Sequence, residues 1–250
     1  MKLKYCPAIV ALATLVVSTY AVHSQIAPRP LTPFVVNSVM SSPVANGKTH
    51  TENFSTAVRH DGSWVEIRAI RAGGKDWQER DVHDFNSATL TVVEDMTKST
   101  VTTVMRAHDI TKRRLLNTGS CEGKSSGQIL GHDVTYIEET YQITDNPQGQ
   151  ATAVEKRWLA PDLACFVLQK ETIWTRNSDG MLLVDTTITP LSVTLEPTDQ
   201  FFEIPTDYHE RTPGEVLRMQ AALYPEEISM PADTSGIDAA YAAHAKLKPN

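Results

Sequence analysis

Long apolar runs are missing from this chain after its first two dozen residues. The longest, Ala8–Val17, is broken at Thr14 and is half the roughly 20 residues a membrane-spanning helix requires. The rest of the chain is therefore expected to contain no transmembrane segment. Cysteine is scarce: of three, Cys6 precedes the apolar run and only Cys121 and Cys165 come after it. No C-x-x-C spacing occurs, so a redox dithiol or a thiolate zinc site has no support. Basic clusters are few, the fullest being Lys112-Arg113-Arg114, and the formal net charge is −7. Nucleic-acid binding needs a basic face that displaces counterions from phosphate, and this balance excludes it. There is no H-E-x-x-H motif, no internal repeat and no low-complexity tract, and helix signals are few.

The opening residues have the layout of an export signal. Lys2 and Lys4 precede the apolar run, and Val22-His23-Ser24 offers modest residues ahead of a cut before Gln25. Residues 1–24 read as a signal peptide and 25–33, with three prolines, as an extended leader. The two lysines are the only charges of the signal. The exported remainder thus carries 21 basic and 30 acidic side chains, a net −9. The expected location is exported, periplasmic or secreted. In such an oxidising compartment two cysteines favour a Cys121–Cys165 bridge. Its loop of about 45 residues would contribute on the order of 4 kcal/mol in the chain-entropy account.

Residues 34–212 are rich in Thr, Val, Ile and aromatics, with turn residues at intervals, and predict an antiparallel β domain. Lys48–Arg59 and Trp64–Ile70 flank Asp61-Gly62, a strong hairpin signal. Further strands are expected at Gln78–Phe85, Thr89–Asp95, Thr100–Arg106, Asp133–Thr144, Ala153–Leu159, Leu163–Thr172 and Met181–Leu195. The run from Leu163 to Leu168 is apolar on both faces, as in a covered central strand. Thr212-Pro213-Gly214-Glu215 has the order of a capped helix start, giving a helix over 213–224. Residues 225–250 are expected as a tail, with a weak helical pattern from Ile237 to Leu247.

Motifs that could carry chemistry are isolated. Gly123-Lys124-Ser125-Ser126-Gly127 matches G-x-S-x-G, but the strand-to-helix context of a nucleophilic serine is absent. Gly119 to Ser125 is one residue short of a phosphate-binding loop. Four histidines precede aspartates: His60-Asp61, His83-Asp84, His108-Asp109 and His132-Asp133. Adjacent strand residues point to opposite faces and cannot chelate one ion together, and aspartate also favours turns. Glu138-Glu139 and the Asp81, Asp84 pair have no fixed geometry for acid–base work. The sequence calls for no cofactor and no metal.

Trp158-Leu-Ala-Pro-Asp-Leu-Ala-Cys165, Pro190-Leu-Ser-Val-Thr-Leu195 and Phe202-Glu-Ile-Pro-Thr-Asp-Tyr208 together resemble exported bacterial proteins of the LolA, LolB and RseB-like envelope group. The resemblance covers about residues 34–212. It implies a mainly β fold: a curved antiparallel sheet, or incomplete β-barrel, with a helix at the open side and apolar ligands or lipoprotein acyl chains on the concave face. One departure is that only the short C-terminal helix is evident. The arginine that gates the cavity in that family maps to no position here.

These readings favour a non-catalytic envelope protein that binds an apolar small molecule, a lipoprotein or another envelope protein. Val134, Tyr136, Phe166, Leu168, Val184 and Ile188 are the expected cavity residues. A secreted hydrolase or metal-dependent enzyme using the His-Asp positions or Ser125 is the alternative. A scaffold or interaction module is another.

Overall fold

The computed structural model describes residues 31–43, 48–106, 110, 114–115, 121–144, 146, 148–196, 198–226 and 234–245. The segment read as an export signal, most of the residues read as a leader, and His108-Asp109 lie outside them. Two meanders make one large, open, curved sheet. The first runs through β1 (Phe34–Pro43), β2 (Thr49–Val58), β3 (Trp64–Ala72), β4 (Lys75–Asp84), β5 (Thr89–Glu94) and β6 (Ser99–Val104). The second runs through β7 (Lys124–Ile129), β8 (His132–Ile143), β9 (Ala151–Ala160), β10 (Phe166–Arg176) and β11 (Leu182–Thr194). β11 returns to pair with β1, and the short β12 (His209–Glu210) joins the edge at β6, so the order is β12-β6-β5-β4-β3-β2-β1-β11-β10-β9-β8-β7. All pairings are antiparallel except that of β12, which runs parallel to β6. The expected fold class, a mainly β, curved antiparallel sheet with a short C-terminal helix, is the one observed.

The Asp-Gly hairpin closes with Arg59 N donating to Ser63 O at 2.8 Å and Gly62 N to Arg59 O at 2.9 Å. That is a three-residue loop with its last residue left-handed, at φ +82°. Gly62 is needed for a second reason: a Cβ there would meet Leu115 O at 1.9 Å. Arg114 Nε also donates to Asp61 O at 2.7 Å. The connection from β6 to β7 is thereby pinned against this turn.

Helix α1 (Pro213–Leu223) begins as its sequence predicts. Thr212 accepts from Glu215 N, the Glu215 carboxylate accepts from Thr212 N, and proline opens the first turn. A second helix, α2 (Ser235–Ala245), lies within the stretch read as a tail. Asp238 of α2 accepts from Gly214 N at 2.8 Å and ties the helices together, and Tyr241 Oη donates to Thr102 O on β6.

Two stretches differ from the sequence expectation. Leu163 and Cys165 are not in a strand: Pro161–Leu163 is a 3-10 turn, and Ala164 and Cys165 come next with φ of +56° and +61°. Proline supplies no ladder donor, so pairing resumes only at Phe166. Lys124–Ile129, absent from the expected strands, forms edge strand β7 against β8. An edge strand needs no apolar alternation because one side of its ladder and its faces stay in water.

The core has two parts. One gathers Leu31, Phe34, Val36, Val58, Val134, Ala160, Leu163, Ala164 and Leu168 where the meanders meet. The other, Val35, Ala57, Val65, Val82 and Val93, lies on the opposite face of the first meander under Phe201, Phe202 and Tyr208. Buried Arg80 holds that cover in place, donating to Phe201 O at 3.2 Å and Glu203 O at 2.8 Å.

Candidate binding cleft

Cross-strand register defines which residues share a face. Ser38 pairs with Phe54, Thr56 with Glu66, and Val58 with Trp64. Met40 pairs with Ile188, Ile188 with Lys170, and Lys170 with Arg157. These side chains therefore project from one face of six consecutive strands, β3-β2-β1-β11-β10-β9. Ser38, Phe54, Thr56, Trp64, Glu66, Arg157, Lys170 and Ile188 line a single cleft of about 730 Å³. Side chains on the convex face of a curved sheet diverge, whereas these, from six strands, converge on one cleft. This face is the concave one.

The cleft is apolar along its middle and charged on its flanks. Phe54, Trp64, Leu115, Phe166, Val167 and Ile188 supply the apolar surface. Trp64 is held by a stacked His83 ring at 3.8 Å between centroids, and Phe166 by an edge-to-face contact with Phe34 at 5.5 Å. On one flank Arg68 pairs with Asp81, with Glu79 at 3.3 Å and with Glu66 at 3.7 Å. Burial raises the Glu66 carboxyl above its ordinary value; Arg68 opposes the rise while Asp81 and Glu52 add to it. Glu79 is raised for the same leading reason. On the other flank Lys170 pairs with Glu155 at 2.7 Å, and Arg157 pairs with Glu155 at 3.2 Å and with Glu139.

The six residues expected to line a cavity take four different places. Phe166 and Ile188 are on the cleft wall. Val134 and Leu168 belong to the packed core. Tyr136 packs on Trp158 with centroids 5.1 Å apart, and that pair alternates with Arg157 along the strands. Val184 pairs with Trp174 further along the sheet. Sequence reasoning did not single out Ser38, Thr56, Glu66, Arg157 or Lys170. Continuing the alternation Phe34, Val36, Ser38 and Val58, Thr56, Phe54 would have reached the first two.

The other chemical candidates are engaged elsewhere. Asp61 and Asp84 both pair with Arg59, at 3.0 and 3.2 Å. His132 Nδ1 lies 2.7 Å from Asp162. Ser125 is exposed on β7 opposite Thr135. Among the described residues no three His, Cys, Asp or Glu side chains gather to hold a metal ion. Cys121 and Cys165 are joined by a disulfide with Cα atoms 5.5 Å apart, and Cys165 borders the cleft. No helix among the described residues is long and apolar enough to cross a membrane.

No protein-family model matches the chain, and no curated protein does. Solved structures similar to it include a LolA superfamily protein from Nitrosomonas europaea, at 10% identity and TM-score 0.30, covering 70% of this chain and 91% of that one. A DUF1329 family protein from Desulfovibrio piger is 14% identical at TM-score 0.20, covering 69% and 90%. A domain named for outer membrane lipoprotein sorting, from Vibrio parahaemolyticus, is 8% identical at TM-score 0.18, covering 68% and 88%. Two of the three carry names from the group that the sequence resembles.

Proposed function

We propose that this is an exported, non-catalytic protein whose concave cleft takes an extended apolar ligand, such as an acyl chain or the lipid anchor of a partner protein. The observation that carries this reading is the cleft itself. It lies in the size range of ligand sites, about 300–1,000 Å³, and its middle is apolar side chains rather than packed core. Each buried methylene of a ligand would contribute about 0.8 kcal/mol. The Lys2, Lys4 and Ala8–Val17 order and the Cys121–Cys165 bridge support export. Occupation of Asp61 and Asp84 by Arg59 supports a binding role over a hydrolytic one.

The experiment is titration of the purified, delipidated protein with a fluorescent long-chain fatty acid, alongside native mass spectrometry of the protein as isolated. Saturable uptake is expected, weakened at least about tenfold, or 1.4 kcal/mol, by Ile188→Trp and by Phe166→Asp. A protein isolated without lipid that also fails to take up the probe would end this reading.

A further inference from the structure

A second pocket of about 360 Å³ shares Ser38 and Phe54 with the rim of the cleft and draws most of its other residues from the opposite face of the sheet. Six of its residues come from two cross-strand rows. Asn37, Ser55 and Ile67 are paired in register across β1, β2 and β3. Ala69 and Gln78 are paired across β3 and β4, and Asn53 lies two positions before Ser55 on the same face of β2. All six alternate with the cleft-facing set.

One row is fixed in advance. Ser55 Oγ donates to Asn37 Oδ1 at 2.6 Å, and Asn37 Nδ2 donates to Ser192 Oγ at 2.9 Å. That chain uses one lone pair and one N–H of the Asn37 amide and leaves the others available. The Asn53 and Gln78 amides are exposed beside it.

A separate observation marks the same place. The β1–β11 register shifts between Asn37 and Ser38, so that Ser192 pairs with Asn37 and Pro190 with Ser38. Leu191 is the extra residue of this bulge. It stands 56% exposed at the pocket's edge. Bulges re-aim side chains and are over-represented next to functional sites. An apolar side chain is here turned toward water beside a row of amides.

We propose that this pocket binds a neutral saccharide. Asn37, Asn53, Ser55 and Gln78 each both donate and accept, as sugar hydroxyls do. Ile67, Ala69 and Leu191 offer apolar surface to the C–H face of a pyranose ring. Of the pocket's charged residues, Arg68 is already paired with Asp81, Glu79 and Glu66, so it does not draw an anionic ligand. The proposal rests on the amide row of the outer face and not on the lipid reading of the cleft.

The test is a titration of the full exported chain with maltose, cellobiose and N,N′-diacetylchitobiose, monitored by amide NMR shifts, with triglycine as a peptide probe. At least one disaccharide should saturate with Kd on the order of 1 mM, shifting Asn37, Asn53, Ser55 and Gln78. Asn53→Ala and Gln78→Ala, both on exposed side chains, should each weaken it about fivefold or more while circular dichroism is unchanged. Leu191→Asp should weaken it as well. Three outcomes overturn the proposal: no saturable shift with any sugar, saturation that the variants leave untouched, or saturation by triglycine alone.

Discussion

On the first meander the face away from the cleft is closed by Phe201, Phe202 and Tyr208 over Val35, Ala57, Val65, Val82 and Val93. On the second, the corresponding face of β8 carries Glu138, Thr140 and Gln142 in the open. The first meander is therefore buried on both faces over part of its width, and the second mainly where it meets the first. Burial on both faces makes exchange of backbone amides wait for global opening, whereas a one-sided edge opens locally. The second meander compensates covalently, with the Cys121–Cys165 bridge anchoring the approach to β7 beside the start of β10.

The contrast can be broken at the seam. Phe34 is 1% exposed and touches Phe166 across the two halves. Phe34→Ala should destabilise by about 3–5 kcal/mol, and urea unfolding monitored by tryptophan fluorescence should show both halves lost together. Next in size is the bridge. Replacing Cys121 and Cys165 by serine should cost about 2–4 kcal/mol, and hydrogen exchange should quicken in β7 and β10 while β3 to β5 keep their protection.

Arg80→Met tests the cover of the first meander. It removes two bonds from a charged donor to backbone carbonyls, and a loss of about 2 kcal/mol is expected. Exchange should rise at Phe201 to Tyr208, bringing the first meander closer to the second.

The smallest effect is electrostatic. Glu66 is raised by burial, so between the ordinary and the raised value the folded chain holds more of this proton than the unfolded chain. Its contribution is present below the ordinary glutamate value and is lost as pH rises through the raised one. Asp61 runs the other way. Burial works to raise it, but its bond from Arg59 and those from Ser63 prevail and lower it. Its contribution is present above the ordinary aspartate value and is lost as pH falls through the lowered one. Glu66→Gln should therefore stabilise by a few tenths of a kcal/mol at neutral pH, discounted for its part-exposed side chain. Thermal melts from pH 4 to 7 should show a flatter profile for the variant.

Much of the strand layout was legible because half-buried strands write their period into the sequence. Thr89–Glu94 and the Asp61-Gly62 hairpin come directly from alternation and turn chemistry. The capping box at Thr212 and Glu215 was equally direct. β7 was not legible, since Lys124-Ser-Ser-Gly has no apolar period and its pairing is supplied by β8. The cleft was legible only in part. Ile188 is reached by alternation along β11. Which partners join it depends on register shifts at Asn37/Ser38, Val167/Gln169 and Trp174/Thr175. Each extra residue reverses the inward and outward parity of the strand beyond it. Curvature, which brings Glu66 and Lys170 into one cleft, arises from the whole sheet and from no local segment.

The β1–β11 pairing at the centre of the sheet joins residues as far apart as Val35 and Thr194, 159 positions. A chain that emerges from its N-terminus can complete β1 to β6 early, since those contacts are between sequence neighbours. One side of β1 then waits for nearly all of the second meander. Such non-local closure is slow, and the waiting side is an open row of amides and carbonyls that another chain could fill. The seam that unites the two halves is thus also the interval in which the nascent protein is most exposed to misassembly, and a chaperone that covers β1 would act there.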